Sequence, residues 1–134
     1  MDKIKVPAKI DQLRGLIRFV IDHARMQGFS LEKIEEIELM AEEALVNVIN
    51  YAYPKTEGSV EVYCHPDAND RLVIRVTDQG IPFDPMSVPR PDLSQGIEGR
   101  KAGGLGVLLV RELADEVKYV RDGQNNILTL TISK

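Results

Sequence analysis

Residues 30–51 predict a long helix that carries two stripes of side chains on different sides. The first stripe is apolar and recurs at helical spacing. Its members are Ile34, Ile37, Ala41, Ala44, Leu45 and Val48. The second stripe is polar and consists of Glu36, Glu43, Asn47 and Asn50. At about 3.6 residues per turn, the centres of the two stripes lie about 130° apart.

Three members of the polar stripe, Glu43, Asn47 and Asn50, point the same way because they are spaced by four and three residues. A carboxylate one turn from an amide oxygen places a general base beside a ligand for a divalent cation. The alternative is a solvated helix face, since such faces are rich in glutamate. Two asparagines near a glutamate in mid-helix favour a site, because asparagine is a poor helix former.

The composition is typical of one globular domain. The chain has 134 residues, 43% apolar and 28% charged, which predicts a single domain over residues 1–134 with its own core. A net charge of −4, an aromatic content of 5% and the lack of tryptophan argue against a nucleic-acid partner. No apolar run approaches the roughly 20 residues of a membrane span, and no secretory pattern is present. The lone Cys64 suits a reducing compartment, so we expect a soluble, cytoplasmic protein.

Alternating residues, turn residues and helical stripes predict five strands and three helices. The strands are predicted at residues 2–6, 59–65, 71–77, 116–121 and 127–133, and the helices at residues 10–27, 30–51 and 105–114. Cys64 is predicted to be a buried strand residue. This order indicates an α+β fold, a two-layer α/β sandwich with three main helices on one face of a mixed, mainly antiparallel sheet.

The loop at residues 78–100 is rich in proline and glycine and has no apolar period. A loop of this length inside a compact domain is usually functional or mobile. We therefore predict that residues 82–101 form a mobile lid over a bound ligand.

A second motif, D-Q-G-I-P-F-D at residues 78–84, directly follows a predicted strand. The carboxylate of Asp78 suits a hydrogen bond from the exocyclic amine of adenine. Gly80 allows a ligand to approach the backbone. The alternative is an ordinary turn, in which aspartate and glycine are common.

A third motif, R-K-A-G-G-L-G at residues 100–106, opens a predicted helix. Backbone N–H groups at a helix N-terminus bind phosphate, and glycine lets phosphate approach them. Arg100 and Lys101 add positive charge beside that site. The alternative is a tight loop before a helix.

The order of the three motifs resembles that of a known superfamily. E-A-x-x-N on a helix, D-x-G after a strand and G-G-L-G at a helix start are similar to the nucleotide-binding boxes of the GHKL superfamily. That superfamily includes histidine-kinase catalytic domains and gyrase B. The runs E-E-A-L-V-N-V-I-N-Y-A-Y and G-G-L-G-V-L-L-V-R-E-L-A-D-E-V look most like anti-sigma factor serine/threonine kinases of the RsbW type. The resemblance covers almost the whole chain and implies the Bergerat ATP-binding fold.

The resemblance implies a role for each matching residue. Glu43 would be the general base for a seryl or threonyl hydroxyl, and Asn47 would coordinate Mg²⁺ between the phosphates. Asp78 would bind the adenine amine, with Gly80 beside it. Further contacts to ATP or ADP would come from Asn50, Phe83, Arg100, Lys101, Gly103, Gly104, Leu105, Gly106, Val107 and Thr129. Of these, Arg100 or Lys101 would neutralise the γ-phosphate, and Thr129 would reach adenine through water.

The resemblance also implies partners: a sigma factor, a STAS-type antagonist protein that is phosphorylated, and a second copy of the chain in a homodimer. Two positions depart from the family pattern. Pro82 stands where a second glycine is common, and Ala102 stands where some of these kinases have arginine. Arg100 and Lys101 are one or two positions away, which leaves the γ-phosphate contact open.

Two other functions remain compatible with the sequence. The first is a non-catalytic ATP-binding module whose nucleotide state selects its protein partner, but such a module has no need of the base Glu43. The second is a stand-alone ATPase domain like those of histidine kinases. No adjacent helical segment with a phosphoacceptor histidine is evident, which disfavours the second alternative.

Overall fold

The computed structural model describes residues 2–87 and 104–134, which form one five-stranded sheet with helices packed on it. The strands are β1 (Lys3–Pro7), β2 (Ser59–Pro66), β3 (Leu72–Asp78), β4 (Glu116–Asp122) and β5 (Asn125–Ile132). The helices are α1 (Leu13–Gln27), α2 (Leu31–Tyr51) and α3 (Gly104–Leu113), and a short 3-10 turn (Ile10–Gln12) precedes α1. The strand order is β1-β2-β3-β5-β4. The predicted α+β fold is confirmed.

Every strand pairing in the described residues is antiparallel, whereas the sequence predicts a mixed sheet. The path of the chain explains the difference. Two helices connect β1 to β2, and because one helix reverses the direction of the other, β2 returns antiparallel to β1. The strands β3 and β4 run parallel, but β5 lies between them and pairs antiparallel with both.

The apolar stripe of α2 is buried in the core, as predicted. All six of its members are at most 6% exposed. On α1 the buried face consists of Leu16, Val20 and Ala24. Leu13, Ile17 and Ile21 are partly buried beside this face.

The ends of the two long helices follow the local sequence. Gly28 ends α1 with a φ of 92°, a left-handed conformation that glycine adopts without strain. Ser30 precedes α2, and its hydroxyl accepts a hydrogen bond from the backbone N–H of Lys33 at 3.2 Å. The two residues fix the start of the helix that carries Glu43 and Asn47.

Cys64 is a core residue of β2, as predicted. Burial raises the pKa of its thiol to about 12, so the side chain stays protonated and serves for packing. Among the residues described, no helix combines the length and the apolarity needed to span a membrane.

The strand β5 begins two residues earlier than the sequence predicts, which adds Asn125 and Asn126 to the strand. The turn before it consists of Gly123 and Gln124, since Asp122 pairs with Asn125. Gly123 has a φ of 59°, the left-handed conformation that such tight turns require. Asn126 is therefore a strand residue. It lies opposite Asp78 at the end of β3 and is 1% exposed.

Candidate nucleotide-binding site

Glu43 and Asn47 lie one turn apart on α2 and contact each other. The side chain of Asn47 is buried, and its Nδ2 donates to Glu43 Oε1 at 3.3 Å and to the carbonyl of Pro85 at 2.8 Å. Both of these hydrogen bonds are made by Nδ2. Oδ1 of Asn47 accepts no hydrogen bond from residues 2–87 and 104–134. Amide oxygens are suitable ligands for Mg²⁺, so this residue fits the metal-binding role predicted for it.

The carboxyl group of Glu43 is half-buried between α2 and α3. Burial raises its pKa above the ordinary value of 4.5, the hydrogen bond from Asn47 opposes that rise, and the negative charge of Glu42 adds to it. A carboxylate with a raised pKa is a stronger base, and such shifts are common in catalytic groups.

A cavity of about 230 Å³ brings four of the predicted site residues together. Its lining consists of Glu43, Asn47, Asn50 and Gly106, with Leu39, Glu42, Val46 and Leu109 around them. Gly106 approaches Glu43 so closely that a Cβ atom there would lie 2.1 Å from Oε2 of the carboxylate. Sites for whole small molecules usually measure about 300–1,000 Å³, so this cavity suits only the phosphate and metal end of a nucleotide.

A second cluster surrounds Asp78 at the end of β3. Asp78 is 3% exposed, and its Oδ1 accepts hydrogen bonds from the backbone N–H of Gly80 and from Asn126 Nδ2, each at 2.8 Å. Its other oxygen, Oδ2, accepts none within the described part of the chain. Buried polar atoms normally have partners, so this oxygen suits an external donor such as the adenine amine.

Asn126 connects the residues of this cluster, and the sequence interpretation missed it. Its Nδ2 also donates to the carbonyl of Ile81 at 2.7 Å. Its Oδ1 accepts from the hydroxyl of Tyr119 at 2.5 Å and from the backbone N–H of Phe83 at 3.2 Å. Asn126 is in phase with the alternating apolar residues of β5, and this periodicity is the signal that identifies it as an inward-facing residue.

Glycine is required at position 80 because there is no room for a side chain. A Cβ atom at this position would lie 2.1 Å from the carbonyl oxygen of Ala52, at the end of α2. The same carbonyl accepts the backbone N–H of Ile81 at 2.9 Å. The sequence predicts that Gly80 allows a ligand to approach the backbone, whereas in the structure glycine is needed for packing against Ala52. Phe83, three residues on, has its ring 5.5 Å from that of Tyr51.

Thr129 is not part of either cluster, and its predicted contact with adenine is wrong for this geometry. It pairs with Arg75, and the alternation of side chains places both on the sheet face opposite Asp78. Val107 is 4% exposed and packs within the hydrophobic core, which leaves its side chain no surface for a nucleotide.

Only some of the residues predicted around the phosphates belong to the described part of the chain. Gly104 and Leu105 form the first turn of α3, as the third motif predicts. Arg100, Lys101 and Gly103 lie outside the described residues.

The predicted lid, residues 82–101, is described up to residue 87. This first part is anchored, because Met86 is 1% exposed and its carbonyl accepts a hydrogen bond from Arg111 Nη2 at 2.6 Å. The mobility of the lid stays a prediction, and the rest of the lid lies outside the described residues.

Comparison with known families identifies the class of protein. A family model described as a histidine kinase-like ATPase domain matches residues 6–132. The chain belongs to this family.

The individual relatives narrow the class. The chain is 28% identical over 137 residues to a serine-protein kinase RsbW of Bacillus cereus. It is also 28% identical to the serine-protein kinase RsbW of Bacillus thuringiensis subsp. konkukian. In both comparisons the match covers 98% of this chain and 85% of the relative. The predicted resemblance to RsbW-type proteins is confirmed.

Solved structures support the fold. The histidine kinase domain of the Erythrobacter litoralis EL346 blue-light activated histidine kinase superposes with a TM-score of 0.55 and 22% identity. The superposition covers 95% of this chain and 61% of that domain, so the chain spans somewhat less than two thirds of it.

Proposed function

We propose that this protein is an ATP-dependent serine/threonine kinase of the RsbW type, formed by a single domain over residues 1–134. The observation that carries the proposal is the pair of Glu43 and Asn47 in one cavity under Gly106. A base and a metal-ligating oxygen one turn apart are what phosphoryl transfer to a hydroxyl requires. The RsbW relatives, which are named serine-protein kinases, support the same activity.

Each described site residue then has a defined task. Asn47 holds Mg²⁺ through Oδ1, Asp78 accepts the adenine amine through Oδ2, and the first turn of α3 presents backbone N–H groups to phosphate. Glu43 accepts the proton of the attacking hydroxyl. When bound, ATP with Mg²⁺ supplies the phosphoryl group and the cation that neutralises its charge.

The partners follow from the resemblance to RsbW-type kinases. We propose that the phosphoryl acceptor is a serine or threonine of a small STAS-type anti-sigma-factor antagonist. The same protein then sequesters a sigma factor, and it acts as a homodimer. Because sigma factors act on RNA polymerase, we propose a cytoplasmic location.

The proposed function predicts Mg²⁺-dependent binding of ATP with a preference for adenine over guanine. Asp78 suits the amine of adenine and repels the carbonyl oxygen that guanine has at the same position. Titration calorimetry with ATP and GTP, with and without Mg²⁺, measures both preferences. Incubation with ATP, Mg²⁺ and STAS-type proteins of the same genome, followed by mass spectrometry of phosphopeptides, tests the transfer. Equal affinity for GTP and ATP contradicts the site, and tight ATP binding without any transfer favours a non-catalytic binding module.

Gly106→Ala provides a second test, since it displaces the base without removing it. The new Cβ would lie 2.1 Å from Glu43 Oε2, so the flexible carboxylate has to move. We expect transfer to fall by about 10²-fold, the usual result of a misplacement of about 1 Å. The fold should remain intact, because alanine favours a helix over glycine by about 1 kcal/mol.

Gly15→Ala is the matched control for this variant. Gly15 lies on α1, and a Cβ atom there meets nothing within 4 Å. We expect a gain in stability of about 0.5–1 kcal/mol with unchanged transfer. Thermal melting and single-turnover transfer are measured on both variants. Equal transfer by both would show that transfer does not depend on the position of the Glu43 carboxylate.

A further inference from the structure

Asn47 is held from outside its own helix by a turn at residues 84–87. Within this turn, Asp84 Oδ1 accepts the backbone N–H of Met86 at 2.8 Å. The carbonyl of Asp84 accepts both the backbone N–H of Ser87 at 2.9 Å and its hydroxyl at 2.6 Å. The Asp84 side chain thus holds the N–H of Met86, in the way that aspartate stabilises many turns, while the Asp84 carbonyl holds Ser87.

The turn connects two helices across the candidate site. The carbonyl of Pro85 accepts from Asn47 Nδ2 on α2, at 2.8 Å. The carbonyl of Met86 accepts from Arg111 Nη2 on α3, at 2.6 Å, and the Met86 side chain is buried in the core. Pro85 itself is also buried, so its carbonyl has a fixed position relative to α2.

This arrangement determines which way the carboxamide of Asn47 points. Both neighbours of Nδ2, the carbonyl oxygen of Pro85 and the carboxylate of Glu43, are acceptors. If the amide were reversed, its oxygen would face two other oxygens and lose both hydrogen bonds, and a buried polar group left unpaired is unfavourable. The Pro85 contact is shorter than the Glu43 contact, at 2.8 Å against 3.3 Å.

We propose that Asp84 is a positioning residue for nucleotide binding: its side chain holds the turn whose Pro85 carbonyl orients Asn47, so that Oδ1 is presented to the divalent cation. The inference rests on the proposed function, because it concerns the same metal ligand. It adds a residue that touches neither nucleotide nor metal. In metal sites, mutation of a residue that orients a ligand typically lowers metal affinity or activity by about 10–100-fold.

Asp84→Ala and Asp84→Asn form a matched pair for the test. Alanine removes the acceptor for the N–H of Met86, whereas asparagine keeps an acceptor at the same place and removes only the charge. ADP affinity is measured by calorimetry with and without Mg²⁺. We expect Asp84→Ala to reduce the gain in affinity that Mg²⁺ provides by about tenfold, at the lower end of the range for such residues. Affinity without Mg²⁺ should not change, and Asp84→Asn should behave like the wild type.

A second readout does not depend on the nucleotide. The side-chain NH₂ resonance of Asn47 in the metal-free protein should shift in Asp84→Ala and stay in place in Asp84→Asn. If Asp84→Ala does not fold, Arg111→Ala loosens the same turn from the exposed side of α3, and the same loss of the Mg²⁺ effect is expected.

Failure of this inference is distinguishable from failure of the proposed function. If wild-type affinity is independent of Mg²⁺, or if Asn47→Ala leaves the Mg²⁺ effect intact, the metal site itself is wrongly placed. If Asn47→Ala abolishes the effect but Asp84→Ala retains it, only the positioning role is overturned. Equal losses with and without Mg²⁺ in Asp84→Ala would also overturn it, because they indicate general damage to the pocket.

Discussion

Replacing Glu43 with glutamine is expected to lower phosphoryl transfer by about 10²–10⁴-fold, the usual contribution of a general base. Glutamine keeps the shape of the side chain and removes its basicity. ATP affinity should change little, because Asp78, Asn47 and the start of α3 make the proposed contacts to nucleotide and metal. Single-turnover transfer and calorimetry on the same preparation measure the two effects separately. Wild-type transfer by Glu43→Gln would exclude Glu43 as the base.

The pH dependence provides an independent check on the same residue. Burial raises the pKa of Glu43 above 4.5, and only the ionised form accepts a proton. The kcat/KM for transfer, which reports on the free enzyme, should therefore decline as the pH falls through this raised pKa, at a higher pH than an ordinary glutamate would give. Gly15→Ala should show the same acid limb as the wild type. An acid limb at or below pH 4.5 would contradict the assignment.

The raised pKa of Glu43 also has a consequence for stability. The folded state binds the proton more tightly than the unfolded state, so the favourable contribution is fully present below the unfolded pKa. It is lost as the pH rises through the folded pKa. At neutral pH the ionised carboxylate thus costs stability that a neutral glutamine does not. Glu43→Gln should be more stable than the wild type at neutral pH, and the difference should shrink in acid.

Replacing Asn126 with leucine is expected to destabilise the fold by about 3 kcal/mol or more. The substitution removes one of the two donors to Asp78 Oδ1, and it removes the partners of the Ile81 carbonyl and of the Tyr119 hydroxyl. Each buried polar group that loses its partner costs about 1–3 kcal/mol, and more when it is charged. Urea unfolding measures the loss. Nucleotide affinity should fall as well, because Asp78 and the backbone after it are no longer held in place.

Asn125→Leu is the control for that variant. Asn125 precedes Asn126 in β5, is only half-buried, and its side chain makes no hydrogen bond within the described residues. We expect its effect to stay within about 0.5 kcal/mol, as is usual for surface positions. Similar losses in both variants would show that the strand as a whole is sensitive to leucine and that Asn126 has no special role.

The helical part of the site could be predicted because helical spacing alone determines it. Glu43, Asn47 and Asn50 are separated by four and three residues, so any helix through them directs them to one side. The role of Gly106 followed from its place at a predicted helix start, and the structure adds its close contact with Glu43. Local rules were sufficient wherever the contact is made within one element.

The sheet part could not be predicted in the same way because it depends on register. Asn126 and Thr129 differ by three positions, so they point to opposite faces of β5. Asp122-Gly123 is a strong turn signal, and the sequence predicts that β5 begins at residue 127, after Asn126. Asn126 is in phase with the apolar residues of β5, but its partner Asp78 is determined by how β3 and β5 pair. The turn at residues 84–87 was missed for a related reason, since its contacts lie on α2 and α3.

The position of β5 has a consequence for folding during synthesis. This strand is made after the other four, yet it lies inside the sheet, between β3 and β4. Until residue 132 has left the ribosome, β3 has an unpaired edge and β4 has no neighbour among the described strands. Exposed strand edges favour aggregation, so the nascent chain passes through a vulnerable stage. Asp78 and Asn126 meet only when β5 pairs, and a ribosome-bound chain that stops before residue 125 should therefore not retain ATP.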